Sequence, residues 1–249
     1  MKLTDNTILI TGGATGIGFA LAGEFIRLGN TVIICGRREN KLAEAKHKLP
    51  RLITRVCDVS VRKDREELMD WAFGNFPALN VLVNNAGIQR EVRFNKGIYT
   101  HNDVAKEIET NLTAPIHLSA LFISKLTAQP ASAIVNVSSG LAFTPLAITP
   151  VYCSTKAALH SFTLSLRYQL SNTATEVYEL IPPIVDTELD QGARDKRQLN
   201  DRGMKPREFA LLAIEALGKG VKEAAIGMAA DLRQKREELF NAINRQPVQ

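Results

Sequence analysis

Six short runs rich in β-branched residues, at 7–11, 31–35, 52–58, 81–84, 133–137 and 176–181, lack the polar alternation of a strand with one wet face. Runs of this kind predict strands covered on both sides. Between them lie segments with helical period. In the first, Ile17, Leu21, Phe25 and Leu28 fall at steps of four, four and three, drawing one apolar stripe along a helix that stops near Gly29. Further helices are expected over 41–48, 62–73, 104–127, 151–170 and 206–217, with a last one over 229–244. Strand and helix alternating six times predict an α/β fold, a doubly wound parallel sheet flanked by helices on both faces.

The stretch 186–205 breaks the rhythm, being polar and charged with Gly192 and Gly203 and without an apolar period. A segment of that length inside a compact domain is usually functional, and it is read here as a substrate lid. The 249 residues suit one domain, 1–249. Apolar residues at 45% and charged residues at 23% match ordinary globular usage, which excludes a disordered chain.

A net charge of +5 would suit an anionic ligand, yet the basic residues are scattered among nearly as many acids. Without a zinc spacing, an RNP-like aromatic run or a basic arm, no nucleic-acid partner is expected. Cys35, Cys57 and Cys153 have no CxxC spacing, so neither a metal site nor a disulfide framework is expected, and the thiols suit a reducing cytoplasm. No apolar run approaches the roughly 20 residues that span a bilayer, so no membrane partner is expected. With the first strand following Met1 so closely, no leader peptide is expected.

Candidate chemistry begins where the first strand meets the first helix, at Gly12, Gly13, Ala14, Thr15, Gly16, Ile17 and Gly18. Glycines let the backbone turn sharply and bring N–H groups against a dinucleotide pyrophosphate, to which the helix N-terminus adds partial positive charge. Gly18 is followed by Phe19 and Ala20 rather than Lys and Ser or Thr, which excludes a Walker-type nucleotide loop. At the end of the second strand stand Cys35, Gly36, Arg37 and Arg38, with no acid to take ribose hydroxyls. Guanidinium groups there fit a 2′-phosphate, so NADP(H) is preferred and NAD(H) is the second candidate.

Tyr152 and Lys156, four apart on a helix that Thr149 and Pro150 can open, share one helix face. A phenol with its usual pKa near 10 needs about 4 kcal/mol of differential stabilisation to ionise near pH 7. The neighbouring ammonium supplies part of it; an oxidised nicotinamide and exclusion of water would supply more. Ser139, 13 residues before Tyr152 and directly after the fifth strand, could hold a substrate oxygen as negative charge develops.

The spacing Gly12-x-x-x-Gly16-x-Gly18, the segment Asn84-Asn85-Ala86-Gly87, and Ser139 with Tyr152 and Lys156 together resemble the short-chain dehydrogenase/reductase family, over about 7–187. The resemblance implies a single-domain Rossmann-type enzyme moving a hydride between NADP(H) and a small-molecule carbonyl or secondary alcohol. It implies Tyr152 as acid/base, Lys156 tuning it and bonding the nicotinamide ribose, and Ser139 on the substrate. Asn111, in Glu109-Thr110-Asn111-Leu112, matches the family's asparagine, whose backbone would hold a relay water. Asp58 and Val59 would lie at the adenine, Asn85, Ala86 and Gly87 along the cofactor, and Val185 and Thr187 at the nicotinamide amide and a phosphate. A homotetramer or homodimer built on the helices carrying Asn111 and Tyr152 is also implied.

The chain departs from the pattern at Pro182-Pro183, where the family commonly has Pro-Gly. A proline at 183 cannot donate a backbone hydrogen bond and stiffens the strand end. That form resembles a bacterial branch of the family, the DltE-like oxidoreductases, and supplies no substrate. Gln89, Arg90, Leu141, Phe143 and Leu189 are candidate pocket residues. Two rival readings are a non-catalytic dinucleotide-binding regulator on the same fold, which the Ser139, Tyr152 and Lys156 set argues against, and an epimerase or dehydratase, which usually carries a larger C-terminal region.

Overall fold

In the computed structural model, which describes residues 1–189 and 203–245, seven parallel strands form one sheet in the order β3-β2-β1-β4-β5-β6-β7. They are β1 (Thr7–Thr11), β2 (Thr31–Gly36), β3 (Ile53–Val56), β4 (Leu79–Asn84), β5 (Ser132–Val137), β6 (Thr175–Ile181) and β7 (Glu223–Ala225). The helices are α1 (Gly16–Arg27), α2 (Glu39–Lys48), α3 (Arg62–Asn75), α4 (His101–Ile108), α5 (Ala114–Thr127), α6 (Pro150–Gln169), α7 (Pro206–Gly218), α8 (Met228–Lys235) and α9 (Phe240–Ile243). None of the described helices is long and apolar enough to cross a membrane.

Alternate residues of each strand feed two separate apolar layers. Ile8, Ile10, Ile34 and Val83 pack with Leu21 and Phe25 of α1 and Phe209 of α7 on one face. Leu9, Ile33, Leu82 and Ile134 pack with Leu68 of α3, Phe122 of α5 and Leu166 of α6 on the other. Both faces are dry, so the strands read as continuous apolar runs.

Three elements differ from expectation. The helix expected over 104–127 is two helices joined by a π-helical turn, Glu109–Thr113. There the Thr110 hydroxyl donates back to Lys106 O at 2.8 Å, the Asn111 amide turns away to the Ile88 backbone, and Pro115 brings no N–H. Each of these disturbs a regular i to i−4 ladder. The helix expected over 229–244 is broken by a 3-10 turn, Arg236–Leu239, which begins with Arg236 at φ 48°. The Thr144 hydroxyl reaches Leu232 O at 3.1 Å and Arg236 O at 2.9 Å, tying down this end of α8. The three-residue β7 was too short and too plain a pattern to be expected from the chain alone.

Of the expected lid 186–205, residues 190–202 lie outside the described residues. Its two ends meet: the Asp186 N–H donates to Met204 O at 2.9 Å, and Lys205 pairs with Asp186 at 2.9 Å.

Candidate active site

At the end of β1 the chain comes close to the segment that follows β4. Gly12 has φ 64°, and a Cβ there would lie 2.8 Å from Cα of Ala86. One at Gly18 would lie 2.5 Å from the Asn85 side chain. Thr11 explains the closeness: its hydroxyl oxygen accepts the N–H groups of both Asn85 and Ala86 at 3.0 Å. Asn85 returns the link through its amide, donating to Thr11 O at 2.9 Å and Gly12 O at 3.2 Å. The glycine turn and the Asn-Asn-Ala-Gly segment are thus one unit. Helix α1 opens beside it without a side-chain cap and without an acid in its first turn, which leaves its N-terminal dipole available to an anion.

A cleft of about 420 Å³ crosses the C-terminal ends of the strands from β3 to β6. Its wall includes Gly12, Ala14, Thr15, Gly16 and Ile17 of the turn; Arg37 and Arg38 after β2; Asp58 and Val59 after β3; and Asn85, Ala86 and Gly87 after β4. Tyr152, Lys156 and Thr187 complete the predicted set on it, and Gln89, Arg90 and Leu189 of the candidate pocket residues also line it. Gly18 and Val185 stand behind the wall rather than on it. Leu141 is absent from the wall, and Phe143 belongs to a small core cluster with Ile181 and Ala229, its ring 4.7 Å from that of His160. The expectation that Phe143 faces substrate is therefore not met: its ring is buried in the core cluster.

The ends of the cleft differ in charge. Arg37 lies close enough to favour the ionised form of Asp58. Burial alone would raise the Asp58 carboxyl, but the Ser60 hydroxyl and N–H, at 2.7 and 3.0 Å, together with Arg37 hold it below the usual carboxylate range. Arg38 is paired with Glu188 at 2.9 Å and also reaches the Thr15 hydroxyl at 3.4 Å.

At the opposite end, Pro150 opens α6, and Tyr152 and Lys156 are both buried on its sheet-facing side. Lys156 Nζ donates to Val137 O at 2.8 Å and lies 5.6 Å from the centre of the Tyr152 ring. Burial pushes the Lys156 ammonium down to about 8, against the opposing pull of Glu179. Gly87 separates Lys156 from Asn111: a Cβ on it would lie 3.5 Å from Asn111 Oδ1 and 3.7 Å from Lys156 Nζ. Asn111 sits beneath the wall, its side chain accepting the Ile88 N–H and donating to Ile88 O, both at 2.8 Å, and donating to the Thr155 hydroxyl at 3.2 Å.

Ser139 is extended and buried, and its hydroxyl accepts the Leu141 N–H at 3.1 Å, opening a short 3-10 turn. The serine on the cleft wall is its neighbour Ser138, whose hydroxyl donates to Glu179 at 2.5 Å. Reading the chain alone missed Ser138 and Glu179. An acid in the 176–181 run was the available signal, since a strand covered on both faces has no solvent for it.

A model of the short chain dehydrogenase family matches residues 6–198. The chain belongs to that family. It is 52% identical over 250 residues to the protein named uncharacterized oxidoreductase DltE of Bacillus subtilis, with 99% of each chain covered. A short chain dehydrogenase/reductase from Burkholderia phymatum, solved in complex with NAD, superposes with a TM-score of 0.84 at 22% identity, covering 100% of this chain and 99% of that one. A short chain dehydrogenase from Burkholderia cenocepacia, solved in complex with NADP, gives 0.80 at 23% identity, over 99% and 96%. At these identities the two structures speak to the fold, and the family match and the Bacillus relative to the oxidoreductase class.

Proposed function

We propose that this chain is an NADP(H)-dependent oxidoreductase interconverting a small-molecule carbonyl and a secondary alcohol, with Tyr152 as acid/base. The observation that carries the reading is one cleft with a glycine turn and two arginines at one end and buried Tyr152 and Lys156 at the other. A dinucleotide fits it on local grounds. A side chain at Gly12 would collide with the Asn85-Ala86 segment, so the turn on the cleft wall stays bare backbone there, and the uncapped α1 offers N–H donors to a pyrophosphate.

When bound, the nicotinamide would supply or take up the hydride. The rest falls to the chain. Tyr152 gives its phenolic proton to the carbonyl oxygen as reduction proceeds, and Lys156, held by Val137, stabilises the phenolate left behind. The hydroxyl of Ser139 orients the substrate oxygen, and Asn111 extends the site toward a water relay beyond Gly87. Val185 and Thr187 would approach the nicotinamide amide and a phosphate, and the described ends of the 186–205 segment support a lid. Exposed Ile116 of α5 and Leu164 and Tyr168 of α6 support a homotetramer or homodimer on those helices.

Solved neighbours carry NADP in one case and NAD in the other, so the preference rests on Arg37 and Arg38. A 2′-phosphate would take Arg37 directly and compete with Glu188 for Arg38. Titration with NADPH and with NADH, followed by nicotinamide fluorescence, should give at least about tenfold tighter binding of NADPH, the factor of one charge-assisted contact. Tighter NADH would overturn the arginine assignment; binding of neither would overturn the dinucleotide reading.

A further inference from the structure

Glu179 is a fully buried acid on the β6 face that also carries Val177 toward α6, and the mechanism above gives it no part. Both its oxygens are engaged. Oε1 accepts the Ser138 hydroxyl at 2.5 Å, and Oε2 lies 2.8 Å from His160 Nδ1. Each partner adjoins the reacting set: Ser138 lines the cleft and precedes Ser139, and His160 stands one helical turn beyond Lys156 on α6. Lys156 in turn donates to Val137 O, the residue before Ser138. A buried acid persists only where hydrogen bonds compensate the lost solvent, and both oxygens of this one have such a partner.

A metal site is the competing reading, since His160, Glu179 and Glu223 bring ligand atoms within 4.8 Å of one another. The charges around them argue against it. Glu223 of β7 is held by Arg167 of α6 at 2.7 Å and by Arg233 of α8, so a cation there would face two guanidinium groups. The groups around Glu179 are therefore Ser138 just after β5, Lys156 and His160 from α6 and, beyond His160, the Glu223, Arg167 and Arg233 cluster, which is already paired within itself.

We propose that Glu179 is a positioning residue for the reacting set: clamped by Ser138 and His160, it fixes the backbone that holds Lys156 through Val137 O and presents Ser139. This rests on the Tyr152 reading, in which Lys156 must keep its proton to stabilise a phenolate. The direction of the Glu179 effect agrees, raising the proton affinity of Lys156 against the burial that lowers it.

The test reads Lys156 directly, by NMR titration of protein carrying ¹³C-labelled lysine, with the Lys156 signal assigned from its loss in Lys156→Met. In Glu179→Gln the Lys156 midpoint should fall by about 1 pH unit, as expected for loss of a nearby opposite charge, and Glu179→Asp should restore most of it. Should Glu179→Gln not fold, Glu179→Met, which keeps the volume and adds no charge, should move the midpoint the same way. A Lys156 midpoint that stays put in a folded variant overturns the proposal. NADPH binding to the parent protein is measured alongside; its absence would refute the dinucleotide reading and leave the Lys156 result standing.

Discussion

Glu107 on α4 illustrates what burial does to a charge away from the reacting groups. It is fully buried, one oxygen accepts the Arg90 N–H at 3.3 Å, and the other has no hydrogen-bond partner among the described residues. Burial pushes its carboxyl up to about 7, against Arg90. The folded state therefore holds this proton more tightly than the unfolded chain, so the stabilisation is complete below the ordinary glutamate range and is lost as pH rises toward 7. Glu107→Gln does not titrate. Urea unfolding should show the variant gaining about 2 to 3 kcal/mol on the parent between pH 5 and pH 8; a constant difference would contradict the buried charge. Residues such as Tyr152 and Lys156 were legible in the chain because their spacing alone puts them on one helix face. Glu107 and Glu179 were not, because their burial is decided by what packs over them. Phe143 was misplaced for the same reason: its ring follows a turn whose direction Ser139 sets.

At the scale of elements, the six longer strands and the helices of strong period stood close to where the apolar pattern put them, since length and dry faces leave few alternatives. The breaks were hidden. The π-helical turn at Glu109–Thr113 depends on a side-chain bond from Asn111 to Ile88, and the 3-10 turn at Arg236–Leu239 on the Thr144 hydroxyl, neither of which periodicity can register. The glycine turn was legible as a motif, but its coupling to Asn85 through Thr11 was not. That coupling makes Gly12 intolerant of a side chain: alanine would meet Ala86 backbone at 2.8 Å and hold φ 64°. Gly12→Ala should lose about 2 kcal/mol or more in urea unfolding, from left-handed strain plus the clash, and should also lose NADPH binding in a fluorescence titration. Full binding by a variant of parental stability would mean that the turn is not the rigid cradle described.

Over the whole molecule, the strand order places every functional segment on one edge of one sheet. With β1 and β4 adjacent at its centre, the loops after β3, β2, β1, β4, β5 and β6 succeed one another along the cleft. This is why residues as far apart in sequence as Arg37 and Lys156 share a wall, and why a family resemblance carried by scattered motifs was readable before the fold. Substrate choice was not, because no motif in the chain names a substrate. Hydride chemistry through Tyr152, proposed above for this cleft, is open to direct measurement. Its most direct test follows NADPH oxidation by the parent protein and by Tyr152→Phe across a panel of small ketones and aldehydes, with NADPH binding measured for both. Turnover of at least one carbonyl by the parent is expected, with a loss of about a thousandfold or more in the variant, within the range for a proton-transferring side chain, while NADPH still binds. Equal turnover by the two proteins would contradict it, as would NADPH binding with no turnover across the panel, the behaviour of a dinucleotide-binding regulator.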